Sequence, residues 1–257
     1  MVCAATNNIV SFSGGKDSTA MLHMMLERGE PVADVVFFDT GWEFPEMLEH
    51  IERVEANTGI RITRLRPDKP FAYWMFERPI VARKGASKGC VHRTGNGWPS
   101  PSRRWCTRLK VDAINKHLAR WPHPVSCVGI AVDEVHRTQT KAQRNARYPK
   151  RYPLIEYDVD EAEALRYCRR LGYDWGGLYE VFSRVSCFCC PLQRIGELRR
   201  LRRHRPAQWR AMMKMDRVAP EHNRGFRNYD TVHDLERRFR QEDDLARRLR
   251  RAAAELN

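Results

Sequence analysis

No stretch of this chain offers the roughly 18 to 20 consecutive apolar residues that a membrane-spanning helix needs, so no membrane association is expected. Its opening, MVCAATNNIVSFSGG, lacks the charged-then-apolar layout of a secretory signal, and the expected compartment is the cytoplasm. A disulfide framework is disfavoured there, which leaves the eight cysteines for metal binding, catalysis or burial. Internal repeats and low-complexity linkers are absent. Acidic residues are in deficit, 32 Asp and Glu against 46 Lys and Arg, for a net charge of +14. That surplus favours a polyanionic partner. From Pro191 onward 18 basic and 10 acidic residues place +8 in the last 67 positions, although arginine-rich helices also carry such charge simply as solvated faces.

What is present is a foldable chain: 42% hydrophobic and 30% charged residues exclude a wholly disordered or collagen-like polymer. A length of 257 residues sits near the size at which single cores stop growing. We expect an α/β domain over 1–190 and a helical, basic region over 191–257 packed on it. Short apolar runs at Asn8–Phe12, Val32–Phe38, Ile60–Leu65 and Val125–Val132 read as strands. Helical spacings follow the first two, with helices also expected at Arg103–Leu118, capped by Ser102, and at Asp160–Arg170. Strands alternating with helices predict a doubly wound, mostly parallel sheet with ligands at the strands' carboxyl ends. Lys69–Ser102, broken by Gly, Pro and Ser, reads as a long loop over the sheet edge. Further on, Pro206 marks a helix start and Thr231-x-x-Asp234 resembles a capping box. The last helix carries an apolar stripe through Val232, Leu235, Phe239, Ala246, Leu249 and Ala253.

The chemistry concentrates in Ser11-Phe12-Ser13-Gly14-Gly15-Lys16-Asp17-Ser18-Thr19. Between a strand and a helix, backbone N–H groups and the positive helix end converge on an anion, and phosphate is the natural ligand. Adjacent glycines allow close approach, while Ser13, Lys16 and Ser18 add donors. Neither G-x-x-x-x-G-K-[ST] nor G-x-G-x-x-G occurs, so P-loop hydrolysis and dinucleotide binding are not supported.

SFSGGKDS resembles the PP-loop of the ATP pyrophosphatases, which bind the leaving pyrophosphate of ATP and transfer AMP to an acceptor oxygen. The resemblance continues through Phe37-Phe38-Asp39-Thr40-Gly41-Trp42-Glu43-Phe44-Pro45, which looks like the phosphoadenosine phosphosulfate (PAPS) reductase branch. It implies that Lys16, Asp17 and Asp39 serve catalysis, with Mg²⁺ on the two aspartates, and that Ser11 through Thr19 with Asp39, Thr40 and Gly41 hold ATP. A capping role for Asp39 at the next helix is the competing reading. Gly129-Ile130-Ala131-Val132-Asp133-Glu134-Val135-His136-Arg137 is similar to the family's fourth-strand loop, which places Gly129 and Arg137 near the nucleotide.

Cys187-Phe188-Cys189-Cys190-Pro191 offers one C-x-x-C pair, weak evidence for metal by itself. Arg104-Trp105-Cys106-Thr107 resembles the segment that carries cluster cysteines in iron-sulfur members of the family, with Trp105 where a second cysteine would stand. The resemblance implies a [4Fe–4S] cluster on Cys106, Cys187 and Cys190, with Cys189 or Cys90 as a fourth ligand or an open iron. Zinc serves the same residues equally well. Cys127 and Cys168 read as buried, and Cys3 is uninformative. The function implied is an ATP-dependent sulfurtransferase that adenylates an oxygen and replaces it with sulfur. Its acceptor would be nucleic acid, DNA before tRNA, with a cysteine desulfurase as sulfur donor; the sequence leaves the oligomeric state, monomer or dimer, open. A sulfonucleotide reductase and a non-catalytic, nucleotide-gated nucleic-acid-binding component are the alternatives; the former lacks its E-C-G-L-H type tail here, where the chain ends AAAELN.

Overall fold

The computed structural model describes residues 6–100, 102–223, 225–227 and 230–255. Cys3 lies outside them. The chain divides into two compact units, one formed by 1–68 with 107–187 and the other by 69–106 with 188–257. The second unit therefore takes residues 69–106 as well as the C-terminal region, unlike the expected division at 190.

In the first unit, β1 (Asn7–Phe12), β2 (Asp34–Phe38), β3 (Ile62–Leu65), β6 (Pro124–Val128) and β7 (Lys150–Arg151) form a sheet in the order β3-β2-β1-β6-β7. Every pairing in it is parallel. Ile9, Val10, Val35 and Val36 are buried, as expected of strands covered on both faces. Helix α1 (Lys16–Glu27) buries Ala20, Met21, Leu22, Met24 and Met25. Helix α2 (Pro45–Thr58) starts with proline in its first turn and ends on Gly59 in the left-handed conformation, which glycine adopts without a Cβ penalty. Helix α3 (Trp105–Leu118) runs from the second unit into the first, and Leu118 joins Ile9 and Val36 in the core. The short helices α4 (Lys141–Arg144) and α5 (Pro153–Glu156), then α6 (Glu161–Arg170) and α7 (Leu178–Val181), complete this unit. Asp160 caps α6 by accepting from Glu163 N.

The chain passes from β1 outward to β2 and β3, then returns to place β6 on the other side of β1. The carboxyl ends of β1 and β6 thus flank the point where the winding reverses, the usual ligand crevice of open parallel sheets. β6 ends earlier than its apolar run suggested. Ile130 N bonds back to Val128 O, and Val132–Gln139 coils into a 3₁₀ helix.

The second unit contains a π-helical turn (Tyr73–Glu77) and an antiparallel hairpin of β4 (Pro79–Val81) and β5 (Val91–Thr94). The expected long loop is therefore partly structured. Helices α8 (Ile195–His204), α9 (Pro206–Val218) and α10 (Val232–Glu255) follow. Ser102 does not cap α3, which begins three residues later; Ser100 Oγ instead accepts from Arg103 N. At α10 the capping box forms as expected, with Asp234 N donating to Thr231 Oγ1 and Thr231 N to Asp234 Oδ2. Only the first part of the α10 stripe is buried, namely Val232, Leu235 and Phe239, while Leu249 is exposed. Trp98 is fully buried, donates to Asp216 Oδ1 and meets Phe226 edge-on.

Candidate functional site

The loop after β1 is held by a network that starts with its own serines. Ser18 Oγ accepts from Ser13 N at 3.1 Å, lies 3.1 Å from Ser13 Oγ and donates to Gly15 O. Gly14 has φ +77°, and a Cβ there would stand 2.4 Å from Met47 Sδ, so the glycine is required by both backbone and space. The Gly14 carbonyl accepts the Trp175 indole N–H at 2.7 Å. Lys16 N, at the first turn of α1, donates to Tyr179 Oη at 2.9 Å. Trp175 stands in a turn where it, Gly176 and Gly177 all have positive φ, and Tyr179 follows in α7. Such a conformation costs a bulky residue about 1–3 kcal/mol, offset here by ring burial and the indole bond.

Lys16 is buried, yet its ammonium reaches Asp17 Oδ1 at 2.9 Å and Glu161 Oε2 at 3.4 Å. Burial raises the Asp17 pKa, against the opposing pull of Lys16, and Glu161 and Glu134 push it up further. Asp133 Oδ1 accepts from Glu161 N, which ties the segment after β6 to the partners of Lys16. Gly129 makes the other join. A Cβ on it would lie 2.9 Å from Ser18 N and 3.0 Å from the Asp17 carbonyl carbon, so only glycine lets this segment press on the first turn of α1. Arg137 pairs with Glu134 on the 3₁₀ helix.

Two residues expected near the nucleotide also bond within the sheet and helix layers. Ser11 Oγ lies 3.0 Å from Ser126 Oγ between β1 and β6, and Thr19 Oγ1 lies 3.0 Å from His50 Nε2 in the buried face between α1 and α2. These hydroxyls already have partners within the sheet and helix layers.

At the end of β2, Asp39 accepts from Gly41 N at 2.8 Å and pairs with Arg66 at 2.6 Å. It bonds within its own turn and to Arg66. Thr40 Oγ1 donates to Glu43 Oε1 at 2.6 Å and lies 3.4 Å from Cys187 Sγ. Burial, reinforced by Asp39, raises the Glu43 pKa, whereas Thr40 lowers it. Cys187 is thus the one proposed metal ligand that this unit sets beside the β2 turn. Cys106, Cys189 and Cys190 belong to the second unit. Among the described residues no group of three His, Cys, Asp or Glu side chains is arranged to hold a metal ion. Asp17 pairs with Lys16 and Asp39 with Arg66. Cys127 and Cys168 are buried as expected, and burial pushes both thiols up to about 12.

Tyr179, Trp175, Glu161 and Arg66 escaped the sequence reading. Tyr179 is 163 positions from its partner Lys16, and no local spacing announces such a contact.

A parallel α/β unit whose glycine loop meets a buried lysine at the reversal of strand order is the architecture of a nucleotide-binding protein of the PP-loop class. The phosphoadenosine phosphosulfate reductase domain model matches residues 7–193, and the chain belongs to that family. The Methanocaldococcus jannaschii protein MJ0066 is 31% identical over 225 residues, which cover 84% of this chain and 43% of that protein; the chain thus spans less than half of this relative. The nin region protein ORF290 of Escherichia phage lambda is 31% identical over 205 residues, covering 74% of this chain and 68% of its own length. Sulfate adenylyltransferase subunit 2 of Streptomyces lavendulae shares 45% identity over 58 residues, 21% of this chain and 18% of that subunit.

Proposed function

We propose that the protein uses ATP to adenylate an oxygen of a nucleic acid, DNA before tRNA, releasing pyrophosphate, and that persulfide sulfur from a cysteine desulfurase then displaces AMP, a second thiol cleaving the resulting disulfide. The observation that carries the first half is the glycine loop at the β1/β6 reversal, with the Lys16 ammonium buried beside it. Family membership and the adenylyltransferase named among the relatives support it. The net charge of +14 supports a polyanionic acceptor.

In this reading the triphosphate takes over the loop's donors. Gly14 and Gly15 let phosphate oxygens approach the backbone, and the Lys16 ammonium moves from Asp17 and Glu161 toward the departing pyrophosphate, where it offsets developing charge. Asp17, 2.9 Å from that ammonium in the free protein, sets the position from which Lys16 moves. The acceptor oxygen attacks the α-phosphorus, its bond to pyrophosphate breaks, and AMP remains on the acceptor.

Pyrophosphate release measured with ATP, alone and with DNA or RNA, tests the proposal. Lys16→Ala and Asp17→Ala should each lower the rate by on the order of a hundredfold, the usual loss for a preorganised charge partner. Wild-type rates in both variants would remove the loop from catalysis. ATP binding without any pyrophosphate release in the unmodified protein would favour a nucleotide-gated binding component instead.

A further inference from the structure

The four arginines of α8 meet carboxylates of their own unit. Arg199 pairs with Glu242 at 2.6 Å and Arg200 with Glu197 at 2.6 Å. Arg202 bridges Glu236 at 2.8 Å and Asp243 at 2.6 Å, and Arg203 also approaches Asp243. These four α8 arginines are thus occupied by carboxylates of their own unit, and cations without such partners are found at another place in it.

The β4–β5 hairpin supplies them. Not one acidic residue occurs between Glu77 and Asp112. Arg83, Lys84, Lys88 and Arg93 are exposed and form no ion pair among the described residues. Residues 83–94 are exposed throughout, and Val81 and Val91, cross-strand partners, stand 46% and 57% accessible without joining a core. The base is firm where the tip is bare. Gly95, with φ +70°, packs so closely that a Cβ would fall 2.3 Å from Met75 O, and Gly95 N and Gly97 N bond to Arg78 O and Met75 O. The positive field is felt nearby: burial, then Arg93, Arg103 and His92, lowers the His222 pKa against the bond to Gly95 O.

We propose that the β4–β5 hairpin, through Arg83, Lys84, Lys88 and Arg93, grips the phosphate backbone of duplex DNA. The inference rests on the proposed nucleic-acid acceptor and names the surface that holds it. A two-stranded ribbon fits the major groove of B-form DNA, whereas the deep, narrow major groove of A-form RNA excludes it. Binders of single strands stack bases on aromatic rings, and positions 78–94 contain no Phe, Tyr or Trp.

The test is binding of a fluorescently labelled mixed-sequence duplex to the full chain across about 0.05 to 0.2 M salt. The variant carries Arg83→Gln, Lys84→Gln, Lys88→Gln and Arg93→Gln together, with melting temperature and pyrophosphate binding as controls expected to stay unchanged. Duplex affinity should fall at least about tenfold, and the log–log salt slope should flatten by up to about 3.6, four contacts at about 0.9 each. Unchanged affinity and slope would overturn the hairpin assignment alone. Tighter binding of RNA or single-stranded DNA than of the duplex would overturn it as well. If the unmodified protein bound no nucleic acid, both the hairpin and the acceptor would fall, and pyrophosphate release from ATP would still report separately on the glycine loop.

Discussion

Replacing Gly129 with alanine tests the join between β6 and the glycine loop at a single carbon. The added Cβ would stand 2.9 Å from Ser18 N, 3.0 Å from Asp17 C and 3.1 Å from Asp17 O. All three are backbone atoms in the first turn of α1, so no side chain can rotate away and either β6 or the helix start must shift. Overpacking of this kind costs about 1–3 kcal/mol, which for a unit of this size lowers the melting temperature by roughly 2–10 °C. The shift falls on the turn that carries Lys16 and Asp17. Pyrophosphate affinity should therefore drop about tenfold or more, as expected when catalytic groups move by a fraction of an ångström. Calorimetric unfolding and pyrophosphate titration of Gly129→Ala read the two effects. Gly196→Ala is the control: it sits early in α8 with nothing within 4 Å of its added carbon, so it should be neutral or gain up to about 1 kcal/mol. A Gly129→Ala protein with unchanged melting and affinity would refute the packing argument.

Tyr179→Phe removes the hydroxyl that receives Lys16 N. It should cost the free protein about 1–2 kcal/mol, recovered when a phosphate oxygen takes the same donor, so pyrophosphate should bind several-fold tighter; weaker binding by titration calorimetry would instead make the hydroxyl a ligand contact. For His50, burial, followed by Arg53 and His23, lowers the pKa from 6.5 to about 3. The unfolded chain then binds a proton that the folded one refuses, so stability is full above about pH 6.5 and drains as pH falls toward 3, by on the order of a few kcal/mol. Urea midpoints between pH 7.5 and 4.5 should show that slope and lose part of it in His50→Gln; parallel curves would count against it.

The strand, glycine turn and helix at Asn7–Glu27 were legible because local apolar spacing and paired glycines suffice to specify them. The same holds for the Thr231 capping box, whose partners are three residues apart. What escaped were contacts that only the assembled sheet creates. Trp175 and Tyr179 meet the loop from 161 and 163 positions away, and α8 arginines meet α10 carboxylates 34 to 43 positions on. Net charge along a sequence records how many arginines there are, not which carboxylates face them. The β4–β5 hairpin was read as loop because its strands are three and four residues long, too short to display an alternation.

The left-handed turn at Trp175 also bears on the order in which the protein matures. The Gly14 carbonyl and its indole partner are separated by 161 positions, so β1, the glycine loop and α1 leave the ribosome long before the side chains that shape the loop exist. At about 5–20 residues per second, that interval is roughly 8–30 s. A nascent chain ending before Trp175 carries every glycine and serine of the loop but neither aromatic partner. The loop's final shape is thereby set only once most of the first unit has been synthesised.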